Sequence, residues 1–207
     1  MKRILILLAA CLLLTSLFSC KQDDDGNVNI SEMPEVEAAY LENAVKLPEY
    51  TGLTVTQNTS ESRGEAIWRV VLEGSEVIDF PDSFLSYYES QTLTKYKLLA
   101  DEADMSYSEL LEALGMSEAD VYNEARELAK AELVAMVIIE KEKIELTEEE
   151  VTRLFDRYAQ KIAEELGKEV DYVKKNLANE VCDTMLRDKM IEFLITQNTF
   201  ITENKND

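Results

Sequence analysis

The chain has 207 residues, enough for one domain with a core of its own, and with 46% hydrophobic and 30% charged residues it belongs with globular rather than disordered chains. Asp and Glu number 42 against 21 Lys and Arg, and the net charge of −21 argues against nucleic-acid binding and against broad adhesion to anionic lipid headgroups. Histidine is absent, which removes the usual general acid–base side chain near neutral pH and the commonest transition-metal ligand; no calcium loop of the D-x-[DN]-x-[DN]-G form occurs either, so no metal and no cofactor is expected.

The first residues read as an address. Lys2 and Arg3 precede an apolar run from Ile4 to Leu14, too short for a comfortable membrane span, and Leu17-Phe18-Ser19-Cys20 follows. This is the layout of a signal peptide over residues 1–19, and its end resembles a lipobox, in which a small residue precedes the cysteine that receives a diacylglycerol. Phe18 is an unusual occupant of its position. The expectation is a lipid on Cys20 and an extracytoplasmic chain anchored to the bacterial cell membrane (the outer or surface membrane if the cell is Gram-negative). A plain signal peptide with a chance cysteine is the alternative. Residues 20–35, with the polar run Lys21 to Asn27, read as a flexible tether. Residues 36–207 are then the folded domain. Cys182 is its single thiol, so no internal disulfide is expected there.

Within the domain, Val36 to Val45 suits a short helix and Leu53-Thr54-Val55-Thr56 a strand, by β-branching and alternation. Ala66 to Leu72 could be strand or helix, with helix preferred. All three prolines (Pro34, Pro48 and Pro81) lie early, and beyond Pro81 only Gly115 and Gly167 interrupt the side chains, a distribution that suits long helices. Pro81 suits a first helical turn, and Leu85, Tyr88, Tyr96, Leu99 and Ala103 make one face, with Thr92 interrupting it. Ser106 and Glu109 have the spacing of a capping box for a short helix that Gly115 ends. Ser117 to Asp120 starts another, expected to run to about Ile144. Its middle, Leu133 to Ile139, is apolar throughout and suits a helix buried on nearly all sides. Thr147 and Glu150 box the next helix, with Val151, Leu154, Phe155, Tyr158 and Ile162 as its stripe and Gly167 as its stop. Asp171 opens a last long helix carrying Val173, Leu177, Val181, Met185 and Leu194. The fold class is all-α, with a short N-terminal extended segment.

No nucleophile motif, phosphate loop or CxxC pair occurs, and the chain is expected not to be an enzyme. Cys182 lies beside an apolar stripe and reads as an inert thiol. The more informative feature is surplus apolarity. Phe155, Tyr158, Met185, Met190 and Phe193 are large and partly flexible, and aromatic and methionine side chains suit surfaces that bind unlike apolar partners. The competing reading is that they pack the helices together.

Five segments carry a resemblance. Val77-Ile78-Asp79-Phe80-Pro81-Asp82 resembles the approach to the first arm helix of the C-terminal domain of trigger factor, the bacterial ribosome-associated chaperone. Leu114 to Asp120 resembles that family's G-x-[ST]-x-x-[DE] turn, and Glu142 to Val151 its E-x-I-x-V-T-x-E-E-[VL] junction between arms. Lys189 to Leu194 is similar to the closing K-x-x-[DE]-F-L segment, and Lys46 to Val55 to the linker strand L-x-x-Y-K-G-[IL]-x-V. The pieces come in the family's order and span about three-quarters of the chain that follows the leader. The Gly-Phe-Arg ribosome-docking signature is missing, and the interval from Tyr50 to Phe80 has no room for an FKBP-type prolyl isomerase domain.

The resemblance implies a long-helix, arm-like chaperone domain without ribosome binding or isomerase chemistry. It implies an ATP-independent holdase that takes unfolded or newly secreted polypeptides on the concave apolar side of its arms, with Phe155, Tyr158, Met185, Met190 and Phe193 as the client-binding residues. Two alternatives stay open: an adaptor lipoprotein with one dedicated protein partner, and an isomerase-family protein lacking its catalytic domain.

Overall fold

The computed structural model describes residues 33–34 and 36–202, with the short stretches 21–22 and 28–29. The expected signal peptide at 1–19, Cys20 and most of the expected tether at 20–35 lie outside the described residues. Lys21–Gln22 (β1) and Val28–Asn29 (β2) form an antiparallel pair. Beyond them the order is α1 (Ala38–Ala44), β3 (Val45–Lys46), β4 (Thr54–Gln57), α2 (Arg63–Gly74), β5 (Glu76–Val77), α3 (Asp82–Glu102), α4 (Tyr107–Leu114), α5 (Glu118–Glu142), α6 (Glu148–Leu166), α7 (Val170–Asn176), α8 (Ala178–Thr196) and β6 (Thr199–Thr202). Helix dominates, as expected.

The helix starts follow their caps. Ser62, Ser106 and Thr147 each accept a hydrogen bond from the backbone of a glutamate three residues on, and that glutamate reaches back to the cap's own N–H. Ser117 and Asp120 make the same exchange at 2.7 and 3.3 Å. The ends are as regular. Gly115 and Gly167 take positive φ of 69° and 61°, and Met116 and Lys168 then donate back to Leu111 and Ala163 at 2.9 Å. Lys143, at φ 52°, ends α5 the same way, with the Ile144 N–H on the Ile139 carbonyl at 3.0 Å. The expected end near Ile144 therefore falls two residues too late, because a side chain without glycine's freedom occupies the left-handed position.

Two further expectations are corrected. The last long helix is two helices, α7 and α8, divided at Leu177, whose φ of −128° and ψ of 31° leave the helical region. Asn176 turns its amide onto the Tyr172 carbonyl at 2.8 Å, an acceptor inside the preceding turn. Leu177 itself is fully buried, so the break drives its side chain into the core. On α3 the buried face is Phe84, Tyr88, Thr92, Tyr96 and Ala100; Thr92 is part of the stripe, and Ala103, beyond the helix end, is exposed.

The chain divides into two compact units. Among the described residues of the folded part, one comprises Phe80–Lys130, the other Glu37–Asp79 and 131–202, and residues 118–130 of α5 belong to the first and 131–142 to the second. In the first, Tyr96 and Ala100 of α3 cluster with Leu110 and Leu111 of α4 and with Val121 of α5. The Tyr96 hydroxyl donates to Glu124 Oε2 at 2.6 Å, while Lys95 pairs with Oε1 at 2.7 Å.

In the second unit α6 packs on α7 and α8, and α2 packs on α8 and β4. Gly64 allows the α2–α8 approach: a Cβ there would lie 2.9 Å from Ile191 Cγ2. Leu133, Val134, Ala135, Val137 and Ile138 of α5 are all buried, as the apolar run predicts. Residues 45–77, within the stretch 31–80 that is least legible in the sequence, are tied in by small sheets. β3 pairs antiparallel with β5, and β4 pairs in parallel with β6. Asn198 fastens the second sheet, accepting from the Leu53 N–H at 2.8 Å and donating to the carbonyls of Tyr50 and Leu194 at 2.9 and 2.6 Å.

Candidate functional site

The five residues singled out in the sequence all fall on α6 and α8, which pack against each other in the second unit. α6 places one residue in three or four toward the core: Ala159, Ile162 and Ala163 are buried, and Arg153, Arg157 and Lys161 are exposed. α8 buries Val181, Met185, Met190 and Leu194.

This geometry divides the five. Met185 and Met190 are 2% and 0% exposed, and they are core residues rather than parts of a surface that could meet a partner. Their unbranched side chains fill the interior of the helix packing, as methionine does where gaps are irregular. Phe155, Tyr158 and Phe193 are half-buried and keep a face to solvent. The Tyr158 hydroxyl donates to Asp188 Oδ2 across the α6–α8 contact at 2.8 Å, and the Arg157 guanidinium lies 5.4 Å from its ring centre. Burial, and then the bond to Asp188, raise the Tyr158 pKa above the ordinary phenol value. Tyr158 is thus half-buried with its hydroxyl fixed on Asp188.

The surrounding charges hold these helices together. Arg187 of α8 meets Glu132 of α5 at 2.5 Å. Lys189 of α8 spans Glu150 at 2.7 Å and the Glu145 carbonyl at 2.8 Å, closing the α5–α6 connection. Glu150 is held down to about 2 by Lys189 and by the N–H and hydroxyl of Thr147. Asp183, one turn before Arg187, is pushed the other way, up to about 6, by desolvation first and by the charges of Glu132 and Glu180, with Arg187 opposing. Cys182 is half-buried and its thiol is raised by burial and by Asp183, the opposite of an activated nucleophile. Among the described residues no group of three His, Cys, Asp or Glu is placed to hold a metal ion.

The apolar side chains most open to solvent are ones the sequence did not single out as a surface: Ile78 at 60%, Ile201 at 52%, Tyr122 at 49% and Leu98 at 37%. Each unit carries two of them. Position supplied the signal. Leu98 and Tyr122 sit off the buried stripes of their helices, and Ile201 lies beyond the last helical periodicity, next to Phe200, whose ring Arg63 covers at 5.6 Å.

Compared with known families, residues 54–196 match the family model described as bacterial trigger factor protein (TF) C-terminus. The match begins at β4 and ends at the last residue of α8, so it takes in every helix from α2 onward. No curated protein and no solved structure matches the chain.

Proposed function

The chain belongs to the bacterial trigger factor C-terminus family, which supports a chaperone-like function on polypeptide substrates, and from that premise we propose that it is a membrane-tethered, ATP-independent holdase for unfolded or newly secreted polypeptides. The match over 54–196 carries the reading. The half-buried Phe155, Tyr158 and Phe193 are the contributors we retain from α6 and α8, joined by the exposed Ile78, Leu98, Tyr122 and Ile201. Small apolar faces scattered over an acidic domain favour weak and rapidly reversible capture, because each buries little area at about 25 cal/mol per Å² and must offset the cost of ordering the client.

The lipid on Cys20 is the anchoring element of this proposal, and it supplies local concentration where secreted chains emerge. No ribosome contact, isomerase step or other chemistry belongs to it. Among the described residues no helix is long and apolar enough to cross a membrane.

The test is suppression of aggregation, followed by light scattering, using the chain from Lys21 onward with several unrelated unfolded clients and no nucleotide. Suppression across unrelated clients is the expected result. Failure with every client, from a folded helical chain, would sink the holdase reading and leave the adaptor with one dedicated partner.

A further inference from the structure

β6 leaves one edge of its sheet open. In the parallel pair Thr54, Val55, Thr56 and Gln57 align with Thr199, Phe200, Ile201 and Thr202. The Thr199 N–H donates to the Leu53 carbonyl at 2.9 Å, which sets the phase of the ladder. Alternate residues of a parallel strand turn both backbone groups to the partner. Thr199 and Ile201 therefore face β4, while Phe200 and Thr202 turn their N–H and C=O groups outward. No described residue takes those groups.

The opposite edge is different. By the same phase Thr56 of β4 points outward, and there its carbonyl accepts from Arg69 Nη2 at 3.2 Å, with α2 packed along the strand. Arg69 is itself held by both oxygens of Glu61, at 2.9 and 3.1 Å. The β4 edge is closed. β6 is short, at four residues, but its own sequence, Thr-Phe-Ile-Thr, has no Lys, no Pro and no charge to shield the edge, in a chain of net charge −21. Ile201 is 52% exposed beside it.

We propose that the outer edge of β6 takes up an extended, net-cationic segment of an unfolded polypeptide as a third strand. The inference rests on the client-binding reading above and names how the client is recognised. Unpaired N–H and C=O groups at alternate residues, about 6.6 Å apart, match the backbone of an extended chain whatever its side chains. The acidic domain favours basic segments by charge complementarity. Phe200 and Ile201 point to opposite faces of the strand; Arg63 covers the Phe200 ring, and the exposed Ile201 offers the incoming segment an apolar contact on its own face. A docking edge of two residues forms few bonds, so capture is weak and release fast, as a holdase without nucleotide requires.

The experiment titrates the full chain in lipid nanodiscs with a short fluorescent peptide of Lys, Val and Thr, and with the same sequence N-methylated throughout its centre. Binding of the unmodified peptide is expected, with a loss of about tenfold or more on methylation and slowed hydrogen exchange at the Phe200 and Thr202 amides. Thr202→Pro removes an outward N–H and leaves the bonds to β4 in place, so it should weaken binding by a similar factor; Thr202→Val should bind as the parent does. Equal affinity for the methylated peptide overturns the strand-addition proposal and leaves the holdase standing. Amides at 200 and 202 already protected without peptide, in a chain of twice the expected mass, overturn it in favour of a second copy on the edge. No binding of either peptide, together with no aggregation suppression, overturns both readings.

Discussion

The carboxamide of Asn198 satisfies three backbone groups at once, the Leu53 N–H and the carbonyls of Tyr50 and Leu194, and so joins the end of α8 to the stretch before β4. Asn198→Ala leaves these groups without a protein partner in a half-buried site, and a loss of about 1–3 kcal/mol in urea unfolding is expected; Asn198→Asp keeps the acceptor for Leu53 but sets a carboxylate oxygen against two carbonyl oxygens, and should lose at least as much. Asp183 predicts the opposite sign. Its carboxyl rests at about 6 in the fold against an ordinary 3.8, so the folded state disfavours the charged form. That penalty is fully present above pH 6 and is gone below 3.8. The groups facing it are Glu132 of α5, with Glu180 and Arg187 of α8. Asp183 is exposed to solvent, which screens most of that penalty, so Asp183→Asn should melt only slightly above the parent at pH 7, and the two melting curves should converge by pH 4. Glu150 works below that window: its carboxyl sits at about 2 against 4.5, so its stabilising contribution is lost as pH falls from 4.5 toward 2. Legibility was partial at this scale. Residue type could mark Met185 and Met190 as large and flexible but could not tell a gap to be filled from a surface to be offered, because both need the same side chain. Ile201 carries no signal for the converse reason: a four-residue strand after a long helix gives no period to read.

At the scale of elements, one close approach decides how α2 packs on α8. A Cβ on Gly64 would lie 2.9 Å from the branched Cγ2 of Ile191, which cannot swing aside without leaving its rotamer. Gly64→Ala gains about 1 kcal/mol of helix propensity yet should lose about 1–3 kcal/mol to overpacking, for a net destabilisation. Pairing it with Ile191→Ala should recover part of the loss in a double-mutant cycle. The second element-level prediction concerns the end of α5. Lys143 holds φ 52° where Gly115 and Gly167 serve the neighbouring ends. The left-handed region costs a non-glycine residue about 1–2 kcal/mol, partly offset by glycine's larger loss of freedom on folding. Lys143→Gly should thus stabilise by about 0.5–1 kcal/mol, even though the exposed contact with Glu140 is lost. These ends also show what a sequence exposes. Three capping boxes and two glycine stops were readable, and they set α4, α5 and α6 to within a residue or two. A fourth box, Ser62 with Glu65, stands equally plain and decides for helix over Ala66 to Leu72, where β-branched residues alone left strand open. The break at Leu177 was not readable, since neither Gly nor Pro marks it; it comes from an asparagine bonding to its own turn and a leucine drawn into the core.

For the whole molecule the governing quantity is charge. With 42 acidic against 21 basic residues, the field around the domain repels acidic polypeptides and gathers basic ones before any apolar contact forms. Apolar burial sets how long a client stays, and it strengthens slightly as salt rises; the electrostatic contribution sets how fast a client arrives, and it fades over a Debye length of about 8 Å at physiological ionic strength. The two dependences have opposite sign, so they can be separated with a pair of unfolded clients matched in length and hydropathy and differing in net charge. At low salt the basic client should associate faster, by about tenfold or more, with little difference in dissociation rate. Raising the salt should slow its association toward a common value and speed that of the acidic client toward the same value. Stopped-flow fluorescence measures both rates directly. Association rates that ignore client charge at low salt would mean that the contact surface is screened from the acidic field. A salt effect confined to dissociation would place charged pairs inside the contact itself, against the reading of apolar and backbone capture on Ile201 and β6.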